Sequence, residues 1–99
     1  MLPHVIAYNF AAAPDAMRRI ARALQAPDAV SGMVSLAASL PIAQSLAALG
    51  MPASGLERAV ELATRDAYAN PRALEREAIA TMLGNAFRGT SPAATTFSA

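Results

Sequence analysis

Apolar positions recur along most of this chain at helical rather than strand spacing, in short runs separated by proline- or glycine-containing junctions. The first run places Leu2, Val5, Ile6, Asn9 and Phe10 on one face, with Pro3 in the first turn, where its missing N–H is not needed. Neither Met1 nor Leu2 has a side-chain acceptor to cap that turn. A helix that begins uncapped and apolar reads as the end of a longer one, and the expectation is a chain drawn from the later part of a larger protein. Pro14 and Asp15 open a second helix, with a Met17, Ile20, Ala21, Leu24 stripe and Arg18, Arg19 and Arg22 largely off it. Ala26-Pro27-Asp28 ends it, and Asp28 is placed to cap a third helix that buries Val30, Met33, Val34 and Ala37 and closes near Leu40-Pro41.

Residues 41–52 are the irregular part, where Ser45 is placed to cap a single turn that Gly50 ends. A fourth helix is expected from Ala53 to Ala67, with Leu56, Ala59, Val60 and Ala63 inward and a start short of acidic residues. Asn70-Pro71-Arg72-Ala73-Leu74 reads as an extended connector, since the residue before a proline disfavours helix. The last helix runs from Glu75 to Phe87, burying Ile79, Met82, Leu83, Ala86 and Phe87, and Gly89 stops it. Residues 90–99 are small, polar and uncharged, and are expected to be a disordered tail. The fold class is all-α, about five helices with no strand signal beyond extended pieces at 41–46 and 70–74.

Composition sharpens this picture in two ways. The 99 residues bound the chain to one modest domain, and 55% hydrophobic against 15% charged leaves the surface short of charge. One side is therefore expected to be covered, by a partner domain or by another copy. The net charge is +1, every cation is an arginine, and acids interleave with them, as at Asp15 against Arg18 and Arg19 and Glu61 against Arg65. That is a solvated-surface pattern without the basic stripe nucleic acid requires. No cysteine is present, which excludes a disulfide scaffold or thiolate metal site and fits a cytoplasmic setting. The uncharged stretch between Asp28 and Glu57 is broken by Pro41, Gln44, Gly50 and Pro52, so it reads as two helical pieces and not as a membrane span.

Leu2-Pro3-His4-Val5-Ile6-Ala7-Tyr8-Asn9, then Ala12-Ala13-Pro14-Asp15-Ala16-Met17 and Ile20-Ala21-Arg22-Ala23-Leu24, resembles the helical C-terminal domain of iron-containing alcohol dehydrogenases, nearest the maleylacetate reductase branch. Ser45-Leu46-Ala47 leading to Leu49-Gly50-Met51-Pro52, Leu56-Glu57-Arg58-Ala59 and Asn70-Pro71-Arg72 resemble the same branch in the same order. The resemblance covers about residues 2–89, which would make 1–89 the helical domain. Pro41-Ile42-Ala43-Gln44 departs from the Gly-Ala-Pro-Thr expected there, and Glu75 stands where the family has a threonine cap, at a cost of about 1 kcal/mol.

The resemblance implies NAD(P)H-dependent reduction of maleylacetate to 3-oxoadipate in the breakdown of aromatic compounds, with alcohol dehydrogenase as the nearer alternative within the family. Nicotinamide binding is implied on an N-terminal α/β domain. A divalent metal, where held, is implied on one aspartate and three histidines ahead of the Leu-Pro-His stretch. This chain by itself is then expected to lack cofactor and metal sites and to be inactive. His4, the only histidine, matches a family histidine that is not a ligand. Its plainer reading is a hydrogen-bonded helix histidine at a domain junction, and contact with substrate is the alternative. Asp66 and Tyr68 precede a connector that lines the family's cleft, so either substrate contact or helix-end packing is open to them. Arg72 suits a substrate carboxylate or a pairing with Glu75. No glycine-rich nucleotide loop or nucleophile–base pair is present. A stand-alone helical self-association module, forming a homo-oligomer through the apolar face, is the rival of another class.

Overall fold

A computed structural model of the chain describes residues 1–65 and 69–92; Asp66 and Tyr68, and most of the expected tail, lie outside the described residues. Five α-helices are present: α1 (Leu2–Asn9), α2 (Pro14–Leu24), α3 (Ala29–Ala38), α4 (Leu56–Arg65) and α5 (Arg76–Arg88). Two short 3₁₀ turns, Phe10–Ala12 and Ala53–Gly55, lead out of α1 and into α4. The pieces at 41–46 and 70–74 are irregular, not strands.

Local chemistry sets most of these boundaries. Pro14 opens α2 with Asp15 in its first turn, as the spacing predicts. At the other end Gln25 adopts a left-handed conformation (φ 53°), and the Ala26 N–H returns to the Ala21 carbonyl at 3.0 Å. The Asp28 carboxylate caps α3 by accepting from the Ser31 N–H at 2.8 Å and from the Ser31 hydroxyl at 2.9 Å. Those contacts also hold the Asp28 carboxyl below its ordinary pKa, the Ser31 N–H contributing most. Helix α4 begins later than expected. The acid-free stretch Ala53-Ser54-Gly55 winds as 3₁₀, and regular helix starts only at Leu56, ahead of Glu57. Glu75 occupies the N-cap position of α5 with no side-chain cap, consistent with the missing threonine.

The single turn at 45–50 forms as read: the Ser45 hydroxyl accepts from the Ala48 N–H at 3.1 Å, and Gly50 ends it at φ 99°. The turn also closes α5. Its Leu46 and Ala47 N–H groups donate to the Ala86 and Phe87 carbonyls at 2.9 and 3.2 Å, satisfying acceptors that a helix C-terminus otherwise leaves open. Gly89 continues the chain at φ 76°, and a Cβ there would stand 3.3 Å from the Ser45 Cβ.

The core lies between α1, α4 and α5, where Tyr8, Val60, Ile79 and Met82 are buried together with Ala63, Leu74, Ala78 and Leu83 packed around them. The α2 and α3 stripes are shallower. Met17, Ala29 and Val30 are buried, while Ile20, Leu24, Met33, Val34 and Ala37 are only half-buried. Leu36, Leu40, Ile42 and Leu49 stand exposed.

Candidate functional site

Four polar residues from opposite ends of the chain meet at the C-terminal end of α1. The face of α1 that turns inward is not the expected Leu2, Val5, Ile6 one: Leu2 and Val5 are exposed, and His4, Ala7, Tyr8 and Asn9 are buried, because this is the side that meets α3, α5 and the connector. A buried amide such as Asn9 must find partners. It finds them in the connector. The Asn9 Oδ1 accepts from the Asn70 Nδ2 at 2.7 Å and from the Arg72 N–H at 3.1 Å. Its own Nδ2 donates to the Asn70 Oδ1 at 3.3 Å and back to the Val5 carbonyl at 3.2 Å. Asn70 is thereby turned so that its Nδ2 also reaches the Arg72 carbonyl at 2.5 Å.

Tyr8 works beside it. Its ring is in the core and its hydroxyl donates to the Ala73 carbonyl at 2.5 Å while accepting from the Glu75 N–H at 3.2 Å. The Arg72 guanidinium lies 4.3 Å from the Tyr8 ring centroid, a cation–π distance, and donates to the Tyr8 carbonyl at 3.4 Å. Its separation from the Glu75 carboxylate is 3.9 Å, and Glu75 is largely exposed. Pairing with Glu75 is therefore present, as the sequence suggests, but the tyrosine stack is the closer constraint.

His4 lies one turn before Tyr8 on α1 and is 6% exposed. The hydrogen bond expected of it is absent at Nδ1, which is buried without a partner among the described residues. Burial, and secondarily the Met1 ammonium, lowers its pKa, so the ring is neutral at pH 7. The structure brings Arg72 onto α1 but joins it to Tyr8 and Asn9, not to His4. Tyr8 and Asn9 are the residues that sequence reading passes over. The one available signal is that Tyr8 and Asn9 adjoin on a short, mostly apolar helix, each with a polar group that needs a partner if buried.

Chemically, this cluster fastens; it contains no nucleophile with a base. Among the described residues no three metal-ligating side chains come together. Among those same residues no helix is long and apolar enough to cross a membrane.

Comparison with known proteins is consistent throughout. Residues 1–87 match the Fe-containing alcohol dehydrogenase family, C-terminal. Over 92 residues, 93% of the chain, the sequence is 49% identical to a maleylacetate reductase from Burkholderia cepacia and 42% identical to one from Sphingobium indicum. The chain spans 26% of the length of each of these relatives. Among solved structures, an iron-containing alcohol dehydrogenase from Corynebacterium glutamicum superposes with a TM-score of 0.86 at 36% identity, covering 95% of this chain and 27% of that one. The helices, the order of their junctions and the match over residues 1–87 agree: this chain belongs to the Fe-containing alcohol dehydrogenase family and corresponds to its C-terminal helical region.

Proposed function

We propose that this chain is the helical part of a maleylacetate reductase-type oxidoreductase, which reduces maleylacetate to 3-oxoadipate with NAD(P)H in the cytoplasmic breakdown of aromatic compounds. The observation that carries the reading is 49% identity to a protein of that name across nearly the whole chain. The nicotinamide, and a divalent metal if the enzyme uses one, are held by a nucleotide-binding region outside these helices. That assignment fits the absence of a glycine-rich loop here and of any three-ligand cluster among the described residues. What these residues contribute is a rigid helical wall. Tyr8 and Asn9 fix the connector, Asn70 and Arg72 hold its path, and α5 is closed by the 45–50 turn.

Asp66 and Tyr68, which precede that connector in sequence, are candidates for substrate contact, with helix-end packing as the alternative. His4 and Arg72 belong to the wall, because their surroundings are a buried helix face and a tyrosine ring. Mixing the purified chain with the nucleotide-binding region of a related reductase tests this. NAD(P)H consumption that requires both parts and maleylacetate supports it; turnover by the 99 residues alone refutes it.

One observation favours a second reading. Leu36, Leu40, Ile42 and Leu49 are exposed at 45–69%, which suits a helical module that self-associates into a homo-oligomer. It predicts a discrete oligomer indifferent to the reductase region. The alcohol dehydrogenase alternative within the family is supported by the Corynebacterium glutamicum structure and differs only in substrate.

A further inference from the structure

We infer that residues 70–75 form a strap that belongs mechanically to α1, so that a displacement of α1 moves the strap even though the strap is continuous in sequence with α5. The inference rests on where the strap's polar groups go. Three of its backbone groups have partners at a distance, the Arg72 N–H, the Ala73 carbonyl and the Glu75 N–H, and all three partners are side chains of α1. The Asn70 side chain is paired to Asn9 in both directions, and the Arg72 side chain rests on the Tyr8 ring and carbonyl. Toward α5, by contrast, the only backbone bond among the described residues is the ordinary opening of that helix, Ile79 N–H to the Glu75 carbonyl at 2.9 Å.

Irregular backbone has no internal ladder to keep it in place, so its position is set by whatever satisfies its donors and acceptors. Here the polar groups are satisfied by two adjacent residues on one helix, while the Leu74 side chain adds packing on the shared cluster of Tyr8, Val60, Ile79 and Met82. Tyr8 and Asn9 are consecutive, so their side chains leave α1 about 100° apart and grip the strap at two points, a geometry that transmits rotation of α1 as well as translation. The strap thus links α1 to the start of α5 by a route separate from the packing of Tyr8 on Ile79 and Met82. A binding event or a packing change that shifts α1 is relayed to the approach of α5. The claim concerns the chain's own mechanics and does not depend on the reductase reading.

Amide hydrogen exchange on the full chain, read by NMR, tests it. Ala7→Gly loosens α1 at a buried position two residues from the clasp-bearing end. The expected result is exchange about fivefold faster in α1 and at the Arg72 and Glu75 amides, these two sharing the opening free energy of α1 and not the higher one of Met82 to Asn85 in α5. Acceleration in α1 alone overturns the inference, and so does an opening free energy at the Arg72 and Glu75 amides equal to that of α5, because the strap then opens only with the whole domain. If Ala7→Gly does not fold, the unmodified chain in rising sub-denaturing urea decides. The Arg72 and Glu75 amides must then converge with those of α1 before those of α5, and convergence with α5 first contradicts the strap.

Discussion

The half of the domain built on α1, α4 and α5 and the half built on α2 and α3 have similar sequence texture but different architecture. In the first, an aromatic ring, a valine, an isoleucine and a methionine share one buried cluster, and a polar clasp crosses more than sixty residues of chain to hold a connector in place. In the second, most large apolar side chains are half-buried, and Leu36, Leu40, Ile42 and Leu49 point outward nearby in sequence. Alanine-rich helices pack closely without enclosing much hydrocarbon, so α2 and α3 gain proximity but little burial. Gly32 shows how close the approach is: a Cβ there would stand 3.0 Å from the Leu24 Cδ1 at the end of α2 and 2.7 Å from the Ala26 Cβ in the junction that follows. The lesson is that helical periodicity points to the inward face of α2 and α3, whereas the depth of burial depends on what lies across from them; on α1 the neighbours decide even the face, since Leu2 and Val5 are exposed and His4, Ala7 and Tyr8 are buried.

This contrast can be broken or sharpened by substitution. Tyr8→Ala removes a core ring and both hydroxyl bonds to the strap, and is expected to cost about 3–5 kcal/mol in chemical denaturation. A loss below about 1 kcal/mol would mean that the buried cluster is not where stability resides. Asn9→Ala leaves the Arg72 N–H and the Asn70 amide without their buried partner, for an expected loss of about 1–3 kcal/mol. A double cycle with Asn70→Ala should show strong coupling, since the two amides bond in both directions.

A smaller effect concerns pH. The folded-state pKa of His4 lies below its ordinary value of 6.5, so the unfolded chain binds a proton that the folded chain resists. The His4 contribution to stability is therefore intact above pH 6.5 and declines as pH falls below it, and His4→Gln should flatten that part of the stability profile. A profile that improves on acidification through this range would contradict the burial assigned to His4. At the other extreme, Ile42→Ser on the outer face should alter stability by less than about 0.5 kcal/mol, because that side chain is 59% exposed. A larger loss in the isolated chain would show that this face is already covered, by a second copy.

Much of the fold was legible residue by residue. Pro14, Asp28, Ser45, Gly50 and Gly89 are local signals whose physics is complete within a turn of chain, and each stands where that physics places it. The delayed start of α4 follows from the same logic, since Ala53-Ser54-Gly55 offers neither a cap nor an acid to steady a first turn. What stayed hidden is non-local. Nothing in Asn9 or in Asn70 alone announces a mutual amide pair, and Arg72 next to Glu75 suggests an ion pair sooner than a ring stack. The closing of α5 by the Leu46 and Ala47 amides is equally invisible to periodicity. His4 was legible as a helix histidine but neither as buried nor as unpartnered at Nδ1, because the expected apolar face left it out and no local pattern reports a missing bond. Of the sequence-named cleft residues, His4 is buried on α1 and Arg72 rests on the Tyr8 ring, and Asp66 and Tyr68 lie outside the described residues.

The most direct measurement is made with a chimera in which residues 1–87 of this chain replace the matching region of the Burkholderia cepacia maleylacetate reductase. Maleylacetate-dependent NADH oxidation at a rate within about tenfold of the parent enzyme is the expected result. A folded chimera that binds NADH yet reduces no maleylacetate would contradict the account.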